Sequence, residues 1–137
     1  MPEPFSLFAP LPPVKEKVVL INSFDLLLAL PSNLVQEALL GITIDRIGRF
    51  HYQDKEIPVI LGQRACPPSS NVSLVIMKTT ELTTGFLGIA GMEVPQLAAI
   101  GAGEWRQCRQ LPYPWLSEGK GFVKGRKLFS AVTGIKF

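Results

Sequence analysis

Apolar runs in this chain never go far before a turn-forming residue interrupts them, and that spacing limits what the chain can become. Val18-Val19-Leu20-Ile21 and Leu26-Leu27-Leu28-Ala29-Leu30 are separated by Asn22-Ser23-Phe24-Asp25, the pattern of a β-hairpin about a polar turn. Pro31 ends the second run. Val72 to Met77 reads as a buried strand. Gly85 to Ile100 alternates small and large apolar residues, and Gly88, Gly91 and Pro95 bend it. Glycines inside apolar runs favour twisted, bulged strands at barrel corners over one long helix.

The remaining segments fill in the same pattern. Asn33 stands three residues before Gln36 in a loose capping-box arrangement and Gly41 follows, which predicts a short helix over Asn33 to Leu40. Ile42, Ile44 and Ile47 suggest an extended stretch, and Arg49 to Leu61 a second. Within it, Ile57-Pro58-Val59-Ile60 demands an edge position or a bulge for its proline. Cys66 to Asn71 and Gln110 to Lys120 are proline-punctuated loops, and two short strands close the chain, near Gly121 to Lys124 and Lys127 to Thr133. Eight or more short strands with almost no helical periodicity predict an all-β barrel or sandwich. Residues 1–14 read as a proline-rich arm, because proline removes backbone donors and biases toward extended chain, and residues 15–137 as one domain.

Composition narrows the class. Of 137 residues 47% are hydrophobic and only 18% charged, against about 25% charged in an average soluble domain, which argues against a disordered chain. The richest apolar run, Val18 to Leu30, is broken by Asn22, Ser23 and Asp25, so a spanning helix is not expected. The start MPEPFSLFAPLPP has no basic region and does not read as a signal peptide, which makes a soluble cytoplasmic protein the default. Charge is uneven. Arg106, Arg109, Lys120, Lys124, Arg126, Lys127 and Lys136 face only Glu118, a net +6 in a chain of formal charge +3. A solvated rim is the plain explanation, and an acidic protein surface, a nucleic acid or an anionic membrane the functional ones.

Candidates for chemistry are few. Cys66 and Cys108 match no zinc spacing, and His51 is the only imidazole, so no metal or other cofactor is expected. A catalytic His51 requires an orienting carboxylate such as Asp45 or Asp54; a surface or packed histidine is the simpler reading of HYQD. Gly101-Ala-Gly103 and Gly119-Lys-Gly121 lack the contexts of phosphate-binding loops and read as turns. Glu93, Glu104 and Glu118 are scattered singly and form no carboxylate pair. Trp105, Tyr113 and Trp115 lie near Arg106 and Arg109, residue types that serve as interface hot spots or base-stacking platforms, and otherwise as a cover for the core. These features together favour a protein that binds over one that reacts.

LLLALPSNLVQEAL resembles the opening signature of CheW-like domains, with Ala29, Leu30, Pro31, Val35, Gln36 and Glu37 at the matching positions. KEIPVIL is similar to that family's Pro-Val strand, SLVIM and TTGFLGIAGMEVPQLAAI to its next strands, and GKGFVKGRKLFSAVTGIKF to its closing pair. His51-Tyr52-Gln53-Asp54 stands where the family usually has Asn-Leu-Arg-Gly. The resemblance runs in order from about Val18 to Phe137. It implies two intertwined five-stranded SH3-like β-barrels with at most one or two short helices, and no catalysis. It also implies an adaptor in a chemotaxis-like, pilus-linked or phototactic pathway. The partners would be a CheA-type histidine kinase regulatory domain and a chemoreceptor-like protein, met through apolar surfaces at barrel ends and between lobes. The protein-binding residues expected on this basis, with the aromatic cluster added, are Val35, Glu37, Ile57, Val59, Trp105 and Trp115. The alternative is a small nucleic-acid-binding barrel using the basic C-terminal third, less favoured because no Arg-rich block or stacking module accompanies it.

Overall fold

The structure, a computed structural model, describes residues 15–24, 26–44, 49–60, 71–109 and 119–132. The apolar runs become β1 (Glu16–Ser23) and β2 (Leu26–Pro31), an antiparallel hairpin in register from Val18↔Pro31 to Ser23↔Leu26. A single 3-10 turn, Ser32–Leu34, leads into β3 (Val35–Thr43). There follow β4 (Arg49–Tyr52), β5 (Lys55–Ile60), β6 (Asn71–Lys78) and β7 (Phe86–Gly91). The chain continues through β8 (Gln96–Ile100), a second 3-10 turn (Ala102–Glu104), β9 (Trp105–Gln107), β10 (Lys120–Lys124) and β11 (Lys127–Ala131).

Two sheets result, one of six strands in the order β8-β1-β2-β11-β10-β9 and one of five in the order β3-β6-β7-β5-β4. The five-stranded sheet is a continuous middle section of the chain, and the six-stranded sheet gathers both ends around it through the parallel β2·β11 pair. Both sheets must curl. β8 and β9 are opposite edges of a six-stranded sheet, about 24 Å apart if it were flat. The connection from Ile100 to Trp105 reaches at most about 18 Å. Glu104 fixes that connection by accepting a hydrogen bond from the Gly101 N–H at 2.6 Å.

Side-chain alternation divides the apolar residues among three clusters. On β1, Val18 and Leu20 face the interior of the six-stranded lobe with Ala29, Ile100 and Phe129. Val19 and Ile21 face the other way and meet Leu28, Val75, Met77 and Ile89 in a seam between the sheets. On β6, Val75 and Met77 join the seam while Val72, Leu74 and Ile76 fill the five-stranded lobe with Ile57 and Tyr52. Strands buried on both faces need apolar residues at consecutive positions, which is why VVLI, LLLAL and VSLVIM are near-continuous runs.

The all-β, two-lobed expectation holds, with three local corrections. Asn33 to Leu40 is not a helix: only Ser32–Leu34 is helical, and Val35 onward pairs with β6 from Val35↔Met77 to Thr43↔Asn71. A helix that short is hard to nucleate, and pairing with a buried strand offers a full ladder instead. Gly41, at φ 66, lies in the register shift between Leu39 and Ile42, so it serves a bulge and not a helix cap. Arg49 to Ile60 is a hairpin and not one stretch, turning at Gln53 and Asp54, both at positive φ. Pro58 is neither on an edge strand nor in a bulge. It forms the outermost pair with β4, one residue before β5 begins pairing with β7, where its missing N–H matters least.

The sheets come into close contact where β7 ends. A Cβ on Gly91 would lie 2.6 Å from Ile21 Cγ1 and 2.9 Å from the Asn22 carbonyl oxygen, and Met92 N–H donates to that same oxygen at 3.0 Å. Gly91→Ala should therefore destabilise the fold by about 1–3 kcal/mol, because backbone as well as a side chain must move. Urea denaturation checks this; an unchanged midpoint would mean that the seam has room to spare.

Candidate protein-binding site

The five-stranded sheet closes through side chains. Its edges are β3 and β4, and the Tyr52 hydroxyl on β4 donates a hydrogen bond to the Glu37 carboxylate on β3. In a flat sheet these strands would stand about 19 Å apart, beyond the combined reach of a tyrosine and a glutamate. Gln53 Nε2 donates to the same hydroxyl at 3.4 Å, and the Tyr52 ring meets Phe86 edge-on, with centroids 5.2 Å apart. The Glu37 hydrogen bond, then burial and the nearby carboxylate charge, raise the Tyr52 pKa above its ordinary 10.0. Glu37 lies on an exposed stretch of β3, but its carboxylate is engaged within its own lobe.

Among the described residues, two partly open apolar areas lie against the buried clusters. The first is the mouth of the seam, where Leu34, Val35, Ile60 and Leu82 are half-buried and pack on the seam cluster without being covered. Val35 is held there by its position immediately after the 3-10 turn and by its pairing with Met77. The second is a cleft of about 190 Å³ at one end of the six-stranded lobe. Leu20, Leu27 and Phe129 form its apolar floor, and Glu93, Gln96, Lys124 and Lys127 its polar rim. Lys124 Nζ donates to Gln96 Oε1 at 2.9 Å, tying the β10–β11 hairpin to β8 across the rim.

The predicted residues that the structure describes do not form one patch. Val35 and Glu37 are on β3, at the edge of the five-stranded sheet, whereas Trp105 is on β9, at the edge of the six-stranded sheet. Ile57 is 0% exposed in the five-stranded lobe, so it is a core side chain that cannot reach a partner. Val59 is half-buried against the same cluster and sits over Gly88, where a Cβ would be 3.1 Å from Val59 Cγ2. Trp105 is half-buried against the six-stranded lobe, with Lys120 Nζ 4.6 Å from its ring centroid. Trp115, Tyr113, Glu118, Cys66 and Asp45 lie outside the described residues, as does the arm.

Sequence reasoning missed Leu34, Ile60, Leu82 and the cleft. Each belongs to an apolar run or a loop whose outward position depends on which sheet lies opposite. Tyr52 was equally hidden, because a contact across fifteen residues leaves no periodic trace. His51 is exposed on β4, opposite Glu56. Cys108 is a free thiol, 4.0 Å from Ser130 Oγ. Among the described residues no group of three or more His, Cys, Asp or Glu side chains is placed to hold a metal, and no helix is long and apolar enough to cross a membrane.

No family model matches the chain, and no curated protein matches it. Among solved structures it is similar to the crystal structure of the scaffolding protein TtCheW from Thermoanaerobacter tengcongensis. The identity is 15%, the TM-score 0.62, and the match covers 87% of this chain and 89% of that one. The protein thus has a CheW-like fold: two curled sheets, nearly all β, packed along a shared apolar seam.

Closure by Tyr52 has a measurable signature. Because folding raises its pKa, the stability it contributes is fully present below the unfolded value near 10 and is lost as pH rises through the folded value. Tyr52→Phe should lower stability by about 1 kcal/mol at neutral pH. It should also flatten the alkaline loss seen in the parent protein, measured by denaturation at neutral pH and above pH 10. An alkaline loss of equal size in both proteins would remove Tyr52 as its source.

Proposed function

We propose that this protein is a non-enzymatic cytoplasmic adaptor of chemotaxis-type signalling that holds a CheA-type histidine kinase regulatory domain and a chemoreceptor-like partner. The observation that carries the reading is the half-buried fringe of Leu34, Val35, Ile60 and Leu82 at the seam of a fold shared with a scaffolding protein. An amphipathic helix or helical hairpin laid along such a fringe buries its apolar face at positions three and four residues apart. Val35 is the central contact in this reading, and Glu37 acts through Tyr52, keeping β3 in place beneath it. The cleft floored by Leu20, Leu27 and Phe129 supplies a second apolar surface at a lobe end, so that kinase and receptor need not compete.

A nucleic-acid reading is weaker. Trp105 is packed against its own lobe and its ring carries Lys120, which leaves it poorly placed to stack on a base. Apolar docking should change little with ionic strength, whereas phosphate contacts weaken steeply as salt rises.

Titration of the purified protein against a CheA-type regulatory domain and against a receptor helical hairpin, at low and high salt, tests the proposal. Val35→Glu should weaken receptor-hairpin binding at least about tenfold, since a charge enters an apolar contact. Val35 is only half-buried, so circular dichroism should report an intact fold. Absence of binding to either partner at high protein concentration, or binding that collapses with salt, would overturn the adaptor reading.

A further inference from the structure

The face of the six-stranded sheet that forms the seam is wider than the sheet opposite it. Val19 and Leu28 lie under the five-stranded sheet. The register carries the same face outward along β11, β10 and β9, since Ser130 pairs with both Leu28 and Gly121, and Gly121 pairs with Arg106. One step along, Val123 pairs with Leu128 on that face, and each is 42% exposed. Leu128 leans over Gly121, where a Cβ would stand 2.9 Å from its Cδ1. Gly121 is buried, with Leu128 Cδ1 and Cys108 Sγ over the space a side chain would take, so Leu128 lies against the sheet beside Val123.

The charge near this pair is of one sign. The described stretches 105–109 and 119–132 contain Arg106, Arg109, Lys120, Lys124, Arg126 and Lys127 and no Asp or Glu. Arg106 shares the face with Val123 and Leu128, and Arg126 stands at the tip of the β10–β11 hairpin, beside Gly125 at φ 64. Arg106, Arg109, Arg126 and Lys127 are all exposed.

We infer that the outer face of β9, β10 and β11, centred on Val123 and Leu128 with Arg106 and Arg126 beside them, docks an acidic amphipathic segment of a partner protein. Charge complementarity selects acidic over neutral partners, and the apolar pair selects a segment that presents side chains, such as leucine, among its carboxylates. A nucleic acid would leave that pair without an apolar counterpart, and the described residues of this face offer no aromatic platform. This face is distinct from the seam mouth: Leu128 is level with Leu26 at the start of β2, whereas Val35 follows the end of β2. The inference therefore stands or falls independently of the kinase and receptor reading.

The test uses the isotopically labelled full chain and a synthetic helical peptide with glutamates along one face and leucines along the other. Its controls are the same peptide with alanines for leucines, a single-stranded DNA, and vesicles containing phosphatidylserine. The leucine peptide should bind with amide shifts gathered at Arg106, Gly121, Val123, Leu128 and Ser130. Leu128→Thr and Arg106→Glu should each weaken binding about tenfold, as expected for central contacts. Val35→Glu should leave it unchanged. Shifts elsewhere, equal affinity for the alanine peptide, tighter binding of DNA or vesicles, or indifference to Leu128→Thr would each overturn the inference.

Discussion

The apolar seam between the two sheets is the contact on which the rest of the molecule depends. Leu26, Leu28 and Leu30 from β2 and Val75, Met77, Leu87 and Ile89 from the five-stranded sheet are nearly or wholly inaccessible there. Burying side chains of this size stabilises by roughly 1.5–3 kcal/mol each before ordering costs. The seam also fixes orientation. Because its side chains alternate with those filling each lobe, a slip of one residue on β1 or β6 would exchange seam and lobe residues along the whole strand. The position of Val35 and the outward position of Leu128 both follow from that register.

Each lobe then solves its own closure problem by a different device. The six-stranded sheet uses a covalent tie, the short 3-10 connection from β8 to β9, braced by Glu104. The five-stranded sheet uses a side-chain tie, Tyr52 to Glu37. These ties draw β3 toward β4 and β8 toward β9 without pairing their backbones, so all four remain edge strands. Among the described residues, apolar side-chain surface stays open at the seam mouth, in the cleft at one lobe end and on the outer face of the terminal hairpin. Under the adaptor reading proposed above, separate apolar surfaces would let each partner dock without reshaping the others' sites.

The all-β class, the first hairpin, the buried strand at Val72 to Met77 and the closing strand pair were legible because consecutive apolar residues between breakers leave few alternatives. The CheW-like motifs were legible in their order along the chain, though each is short, and the two-lobed fold agrees with them. Legibility failed where local preference and tertiary pairing disagreed. Val35 to Leu40 contains good helix formers, yet it lies beside a buried strand with an unpaired edge and takes the ladder. Gln53-Asp54 lacks the Asn-Gly or Asp-Gly signal of a tight hairpin, so HYQD reads equally as the start of a strand or a hairpin turn, and the positive φ of both residues decides for the turn. Ile57 and Val35 are both aliphatic residues in recognisable motifs, yet one is enclosed and the other half-open.

The sequence by itself determined that the chain folds as short strands, that several of them are apolar on both faces, and that its positive charge collects near the C-terminal end. Those are properties of composition and spacing, and they act before any strand finds its neighbour. Only the tertiary structure decided which apolar face meets the other lobe and which stays open, because that choice depends on where the narrower five-stranded sheet ends over the wider six-stranded one. It likewise decided that Tyr52 and Glu37 close a barrel, since their meeting requires a curled sheet to bring its two edges within hydrogen-bonding distance.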